Sequence, residues 1–166
     1  ELAREIARLV LGYAEIDAVA IGAVKNADQP IRETHRRVAA IVTAAGAGTR
    51  LNGDIKQLLP WRDATMIENA LEMVARADVS ERVLVLGAHW ETIRAAIQHQ
   101  PAVQRGRGWR VLLNQWWEEG HSSSIRAGIA ALTPGIAAAI FINADQPFLT
   151  AAMIDAVIQR YRATDA

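Results

Sequence analysis

The sequence predicts an α/β protein in three layers, with a mostly parallel sheet between helices on its two faces. Apolar runs at residues 38–42, 83–87, 110–114 and 136–142 are short enough to be buried strands. Amphipathic segments of about ten residues separate them, which is the pattern of βαβ units. In such a sheet ligands bind at the carboxyl ends of the strands, where the strand order reverses.

The composition excludes several classes of protein. The chain has 166 residues, 51% hydrophobic and 22% charged, as expected of one globular domain with a short appendage. Lys+Arg and Asp+Glu both number 18, and this balance argues against a general nucleic-acid binder. The absence of cysteine excludes disulfides and agrees with a cytoplasmic location. No apolar run approaches the ~20 residues that span a bilayer, so we expect no membrane contact.

Residues 1–37 differ from the rest of the chain. The spacing of apolar residues predicts a helix over 1–13, residues 17–24 are typical of a strand, and residues 25–37 are typical of a linker or surface loop. Because these elements cannot bury a core, we expect them to be the tail of a preceding domain or a linker. The sequence Asn-Ala-Asp-Gln-Pro occurs at 26–30 and again at 143–147, and we assign chemistry only to the second copy.

The most informative stretch is the loop after the first core strand. It consists of the small residues Ala44, Ala45, Gly46, Ala47 and Gly48, and Arg50 and Lys56 follow. Small residues let backbone N–H groups approach an anion, and the two cations can add charge-assisted hydrogen bonds to a phosphate. The spacing matches neither G-x-x-x-x-G-K-[ST] nor G-x-G-x-x-G. On the loop alone, a plain turn with two solvated cations remains an alternative.

Other polar residues follow the later strands. Asp145 comes after the strand at 136–142, where a carboxylate suits Mg²⁺ beside a phosphate site, although an Asp-x-Pro turn is the alternative. Ser122–Ser124 open a predicted helix at 122–132, and we expect at least one of them to cap it. Of Trp116 and Trp117, we expect one in the core. His89 and His121 lack metal-ligand spacing.

Three blocks of sequence, in this order, resemble the MobA/MocA-like molybdenum-cofactor nucleotidyltransferases. They are A-A-G-A-G-T-R…K-Q-L-L-P at 44–60, N-Q-W-W-E-E-G-H-S-S-S-I-R-A-G at 114–128 and A-D-Q-P at 144–147. The departures from the family pattern are Thr43 in place of Leu, Leu51-Asn52 in place of Met-Gly, and one extra residue before Lys56.

The resemblance implies a Rossmann-like nucleotide-diphospho-sugar transferase (GT-A-like) fold over 38–166, truncated at its C-terminus. It also implies Mg²⁺-dependent nucleotidyl transfer, with CTP favoured over GTP as donor and a molybdopterin-type phosphate as acceptor. Molybdoenzyme maturation proteins are the implied partners. Arg50, Lys56 and Asp145 would be catalytic, with Asp145 as metal ligand. The nucleotide would be bound by Ala44, Ala45, Gly46, Gly48, Arg50, Lys56, Asn114 and Ser124.

Two alternatives remain open. The A-A-G-x-G-x-R…K-Q pattern also resembles cytidylyltransferases of isoprenoid synthesis and sugar activation, which would make a CDP-alcohol or a nucleotide sugar. A chain without the C-terminal part of the family domain would instead bind nucleotide without turnover. Nucleotidyl transfer requires Asp145 to lie within reach of Lys56.

Overall fold

A computed structural model describes residues 18–21, 33–48, 54–104 and 108–163. Three predicted features lie outside these residues: the helix over 1–13, the first Asn-Ala-Asp-Gln-Pro copy and Arg50. The strands are β1 (Ala18–Ile21), β2 (Glu33–Arg36), β3 (Val38–Ala44), β4 (Pro60–Trp61), β5 (Ala64–Thr65), β6 (Glu81–Leu86), β7 (Trp109–Leu113) and β8 (Ala138–Asn143). The helices are α1 (Met66–Arg76), α2 (Trp90–Ile97), α3 (Pro101–Gln104), α4 (His121–Ala130) and α5 (Ala151–Ala163). Short 3₁₀ turns occupy Lys56–Leu58 and Trp117–Glu119.

The predicted parallel sheet is confirmed. Its four strands lie in the order β7-β6-β3-β8, and all three neighbouring pairs are parallel. The chain builds outward from β3 through β6 to β7 and then returns to place β8 on the other side of β3. The strand order therefore reverses between β3 and β8, and a ligand site is expected beyond the carboxyl ends of these two strands.

Helices cover the sheet on both faces. The larger core joins one face of β3 and β6 to α1, α2 and α5, whereas α4 packs on the opposite face against Ile41, Val83 and Val85. The interior consists mainly of branched aliphatic side chains, which fit the pleated surface of a buried strand. This arrangement is the predicted three-layer fold.

The buried face of α1 differs from the predicted one. The spacing of apolar residues predicts a face of Met66, Ala70, Met73, Val74 and Ala77. Ala70, Val74 and Ala77 are in the core as predicted, whereas Ile67, Leu71 and Ala75 are buried in place of the two methionines. Met73 packs only at the edge of the core. Ile67, Leu71 and Val74, spaced three or four positions apart, form the centre of the buried face and are fully buried.

Two predicted loops contain regular structure. Part of the expected linker at 25–37 forms β2, which pairs antiparallel with β1, and Arg162 Nε donates to the Arg36 carbonyl at 3.2 Å. Residues 101–109 are rich in arginine and glycine, which predicts a solvated connection, but their first part forms the short helix α3. In β2 the polar composition did not reveal the strand, because backbone pairing does not depend on side-chain polarity. No helix within the described ranges is long and apolar enough to cross a membrane.

Helix α4 approaches the sheet closely at Gly128. A Cβ atom added there would lie 2.5 Å from Ile41 Cγ2, and Ile41 is fully buried. The small residue therefore sets the distance between α4, which carries the serine block, and β3, which leads into the small-residue loop.

Gly128→Ala should destabilise the fold. Overpacking a buried contact costs about 1–3 kcal/mol, and the better helix propensity of alanine returns about 1 kcal/mol. Because the added Cβ would meet a fully buried side chain, we expect the cost at the upper end of this range and a net loss of about 2 kcal/mol in the free energy of unfolding, measured by urea denaturation. Ile129→Ala, at a neighbouring position that is 51% exposed, should stay within about 0.5 kcal/mol of the wild type. Equal midpoints for Gly128→Ala and the wild type would show that α4 can move away from the sheet.

Candidate functional site

A cavity of about 450 Å³ opens at the carboxyl ends of β3 and β8, where the strand order reverses. Its volume falls in the range of about 300–1,000 Å³ that is typical of small-molecule sites. Residues from all three sequence blocks line it. The predicted site residues among them are Ala45, Gly46, Gly48, Lys56, Ser124 and Asp145.

Lys56 and Asp145 meet at this cavity. Lys56 Nζ lies 2.6 Å from Asp145 Oδ2, and the two side chains are 45% and 32% exposed. Lys56 begins the 3₁₀ turn after the loop, and Asp145 lies two residues beyond the end of β8. The pair faces a solvent-accessible cavity, so both groups remain available to a ligand.

The carboxylate of Asp145 suits a metal ion that binds together with a phosphate ligand. Within the part of the chain that is described, no group of three or more His, Cys, Asp or Glu side chains could hold an ion. Asp145 therefore offers a single carboxylate. Mg²⁺ is commonly held by one or two carboxylates and takes its remaining ligands from phosphate oxygens and water, so this donor set is compatible with Mg²⁺.

Neighbouring residues engage the four successive carbonyl groups of residues 44–47 in the small-residue loop. Gln57 Nε2 donates to Ala44 O at 3.4 Å and to Gly46 O at 3.0 Å. The Ala88 N–H donates to Ala45 O at 3.0 Å, and His89 Nε2 lies 3.3 Å from Ala47 O. The carbonyl oxygens, which would repel an anion, are thus engaged by the surrounding structure.

The amide groups of the same loop remain available. The N–H groups of Gly46, Ala47 and Gly48 donate to no residue in the described ranges, and all three residues line the cavity. Gly48 has a φ of 63°, a left-handed conformation that glycine adopts without strain. Engaged carbonyl groups, beside N–H groups without a partner among the described residues, are the arrangement of a backbone anion site.

Gly87 allows the loop to sit against its neighbours. A Cβ atom there would lie 2.7 Å from Ala45 Cβ and 2.8 Å from Ala45 O. Because Gly87 follows β6 directly, the close approach of two strand ends positions the loop. The sequence predicts Gly87 at the end of a strand and gives no sign of its part in the site.

The serine block is supported by a buried asparagine. Asn114 Nδ2 donates to Ser123 Oγ at 2.8 Å and to Ser124 Oγ at 3.1 Å, and all three residues are at least 96% buried. Ser124 lines the main cavity, whereas Asn114 lines a second cavity behind it. Asn114 thus holds the two serines in place and is not among the residues that line the cavity with Lys56 and Asp145.

Two predictions about this block are wrong. No serine side chain caps α4, because the helix already begins at His121 with Gly120 at the cap position. Neither tryptophan is in the core: Trp116 is 67% exposed, and Trp117 is half-buried at the cavity wall. Residues 115–119 form a surface turn and a 3₁₀ turn, which leave no room to bury an indole.

The structure adds residues that sequence analysis missed. Gln57 lines the cavity and contacts the loop, and Thr43 Oγ1 donates to Asn143 Oδ1 at 2.8 Å across adjacent strands. Ala44, by contrast, does not line the cavity, although its carbonyl accepts from Gln57. The position of Gln57 beside Lys56 in an otherwise apolar I-K-Q-L-L-P segment was the one available signal.

Comparison with known sequences identifies a family. The family model described as MobA-like NTP transferase domain matches residues 40–166. Nicotine blue oxidoreductase of Paenarthrobacter nicotinovorans is 37% identical over 94 residues, which cover 57% of this chain and 43% of that protein.

Solved structures show the same fold. Rv0371c of Mycobacterium tuberculosis, in complex with manganese, is 26% identical with a TM-score of 0.60, over 78% of this chain and 61% of that one. A nucleotidyl transfer enzyme from Methanothermobacter is 26% identical with a TM-score of 0.61, over 73% and 56% of the two chains. The chain thus spans roughly half the length of these proteins.

Proposed function

Since the chain belongs to the family of MobA-like NTP transferase domains, we propose that it transfers a nucleotide from an NTP to a phosphate-bearing acceptor and releases pyrophosphate. The observation that carries this proposal is the loop at 44–48, with engaged carbonyls and unengaged N–H groups next to Lys56 and Asp145. A triphosphate needs such a combination of backbone dipoles and a cation.

In the proposed reaction an oxygen of the acceptor phosphate attacks the α-phosphorus of the NTP. A new phosphorus–oxygen bond forms, the bond to the β-phosphate oxygen breaks, and pyrophosphate leaves with the electron pair. A phosphate dianion is already nucleophilic, so the protein need not supply a base. The loop N–H groups and Lys56 then act by positioning the phosphates and by stabilising the charge that develops on them.

Asp145 is the proposed holder of Mg²⁺, and Arg50, which lies outside the described residues, is a proposed second cation at the phosphates. Bound Mg²⁺ would supply neutralisation of negative charge on the phosphate oxygens. In this structure Lys56 pairs with Asp145. When nucleotide binds, we expect the ammonium group to turn to the phosphates and the carboxylate to become available to the metal.

The donor and the acceptor are proposed from the sequence blocks. The A-A-G loop and the serine-rich block favour CTP over GTP, and the same blocks favour a molybdopterin-type phosphate as acceptor. Two observations support contact between Ser124 and the nucleotide base. Ser124 lines the cavity, and its hydroxyl donates to no residue in the described segments. A cytoplasmic location and contact with molybdoenzyme maturation proteins belong to the same proposal.

Pyrophosphate release tests the proposal. We expect release with CTP that depends on molybdopterin and on Mg²⁺, and slower release with GTP. Calorimetry with CTP and Mg²⁺ runs in parallel, since tight binding without release would favour the hypothesis of a binding domain. Release with a sugar phosphate or an alcohol phosphate in place of molybdopterin would favour the second enzymatic alternative. A protein that binds neither CTP nor GTP would refute nucleotidyl transfer.

A further inference from the structure

We propose that Gln57 is a positioning residue that holds the 44–48 loop in its phosphate-binding conformation, an inference that rests on the function proposed above. Its side chain is 93% buried, and Nε2 spans two alternate carbonyl groups of the loop, 3.4 Å from Ala44 O and 3.0 Å from Gly46 O. Neither the family motif nor the reaction assigned a role to this position.

The two bonds fix how the loop faces the cavity. The Gln57 amide holds the carbonyl groups of Ala44 and Gly46, while the N–H groups of Gly46, Ala47 and Gly48 have no partner in the described ranges. The other supports, Ala88 N–H and His89, each engage only one carbonyl.

The hydrogen-bond partners of the Gln57 side-chain amide determine which of its two ends faces the loop. If the two ends of the amide were exchanged, Oε1 would face two carbonyl oxygens, and no hydrogen bond would form. In the observed orientation Oε1 is buried and has no partner among the residues that the structure describes. A buried acceptor without a partner is costly, and the two hydrogen bonds from Nε2 to the loop offset that cost.

Gln57 also links the loop to the reactive pair. Gln57 is adjacent to Lys56 in the 3₁₀ turn Lys56–Leu58. The Gln57 side chain contacts the loop, and the Lys56 side chain contacts Asp145. Movement of this turn would displace the phosphate cradle and the ammonium group together. This coupling explains why an uncharged residue that makes no contact with the metal should affect phosphate binding.

The test uses two phosphate probes, CTP and inorganic tripolyphosphate, and one probe without phosphate, cytidine. Gln57→Met keeps the length of the side chain and removes both donors. We expect its dissociation constants for CTP and tripolyphosphate to rise about tenfold, the effect of losing neutral hydrogen bonds, with the affinity for cytidine unchanged. Gln57→Glu, which places an oxygen against the two carbonyls, should lose at least as much. Gln159→Met, at an exposed position of α5, is the matched control and should bind all probes as the wild type does.

The outcomes separate the two proposals. Weaker binding of both phosphate probes with unchanged cytidine binding supports the positioning role, because general damage to the fold would weaken all three. If the wild type binds tripolyphosphate and Gln57→Met binds it within twofold of the wild-type affinity, the role of Gln57 is overturned. The proposed function is then unaffected. Wild-type protein that binds neither phosphate probe overturns the proposed function and this inference with it. Amide resonances of Gly46 and Gly48 give a second readout, since tripolyphosphate should shift them in the wild type and less in Gln57→Met.

Discussion

Lys56→Ala should lower the rate of pyrophosphate release by about a hundredfold to a thousandfold. Lys56 lines the same cavity as the small-residue loop. Among the described residues, its ammonium group is the cation that contacts Asp145. Losing one preorganised donor at a developing negative charge raises the barrier by about 3–4 kcal/mol. The measurement is steady-state pyrophosphate release at saturating CTP and acceptor.

The same substitution should leave the fold intact. The side chains of Lys56 and Asp145 are 45% and 32% exposed. Exposed ion pairs contribute only about 0–1 kcal/mol to stability. Arg76→Ala is the matched control, because Arg76 forms an ion pair of similar length, 2.7 Å, with Glu72 on the outer surface of α1. It should release pyrophosphate at the wild-type rate. A Lys56→Ala variant with near-normal release would remove Lys56 from the mechanism.

The sheet could be predicted because its signals are local. Each core strand is a short apolar run followed by a small or polar residue, and βαβ order alone then requires that the strand ends meet at one edge. The placement of Lys56 near Asp145 follows from that order, although these residues are 89 positions apart in a sequence that gives no other sign of their contact.

The supports of the site could not be predicted, because they depend on packing between distant segments. Gln57 acts through its distance to two carbonyl groups, and Asn114 through its position behind Ser123 and Ser124. Apart from the position of Gln57 beside Lys56, nothing in the local pattern separates such side chains from other polar residues. The start of α4 illustrates the same limit: the serines suggested a cap, but Gly120 supplies the backbone turn and the helix begins one residue earlier than expected.

Asp145→Asn should abolish metal-dependent turnover, with a fall of about a thousandfold or more, since metal stabilisation of phosphate charge is worth several kcal/mol. The amide keeps the size of the side chain but loses the negative charge that attracts a divalent cation. Asp145 is the proposed metal ligand, and the described residues around it provide no cluster of three acidic or histidine groups that could replace it. Asp63→Asn, at an exposed position in the turn between β4 and β5, is the control and should retain full activity.

Binding of Mn²⁺, followed by electron paramagnetic resonance, separates the roles of the two residues that touch. Lys56 Nζ lies 2.6 Å from Asp145 Oδ2, so a metal at this oxygen must compete with the ammonium group when no nucleotide is present. Lys56→Ala should therefore tighten nucleotide-free Mn²⁺ binding by about two- to fivefold, the value of a partly exposed ion pair, although it slows turnover. Asp145→Asn should weaken Mn²⁺ binding both with and without CTP. The two effects have opposite signs, as expected when one carboxylate oxygen binds either the ammonium group or the metal ion. Mn²⁺ affinity that is unchanged in both variants would place the metal elsewhere and leave Asp145 as the partner of Lys56 alone.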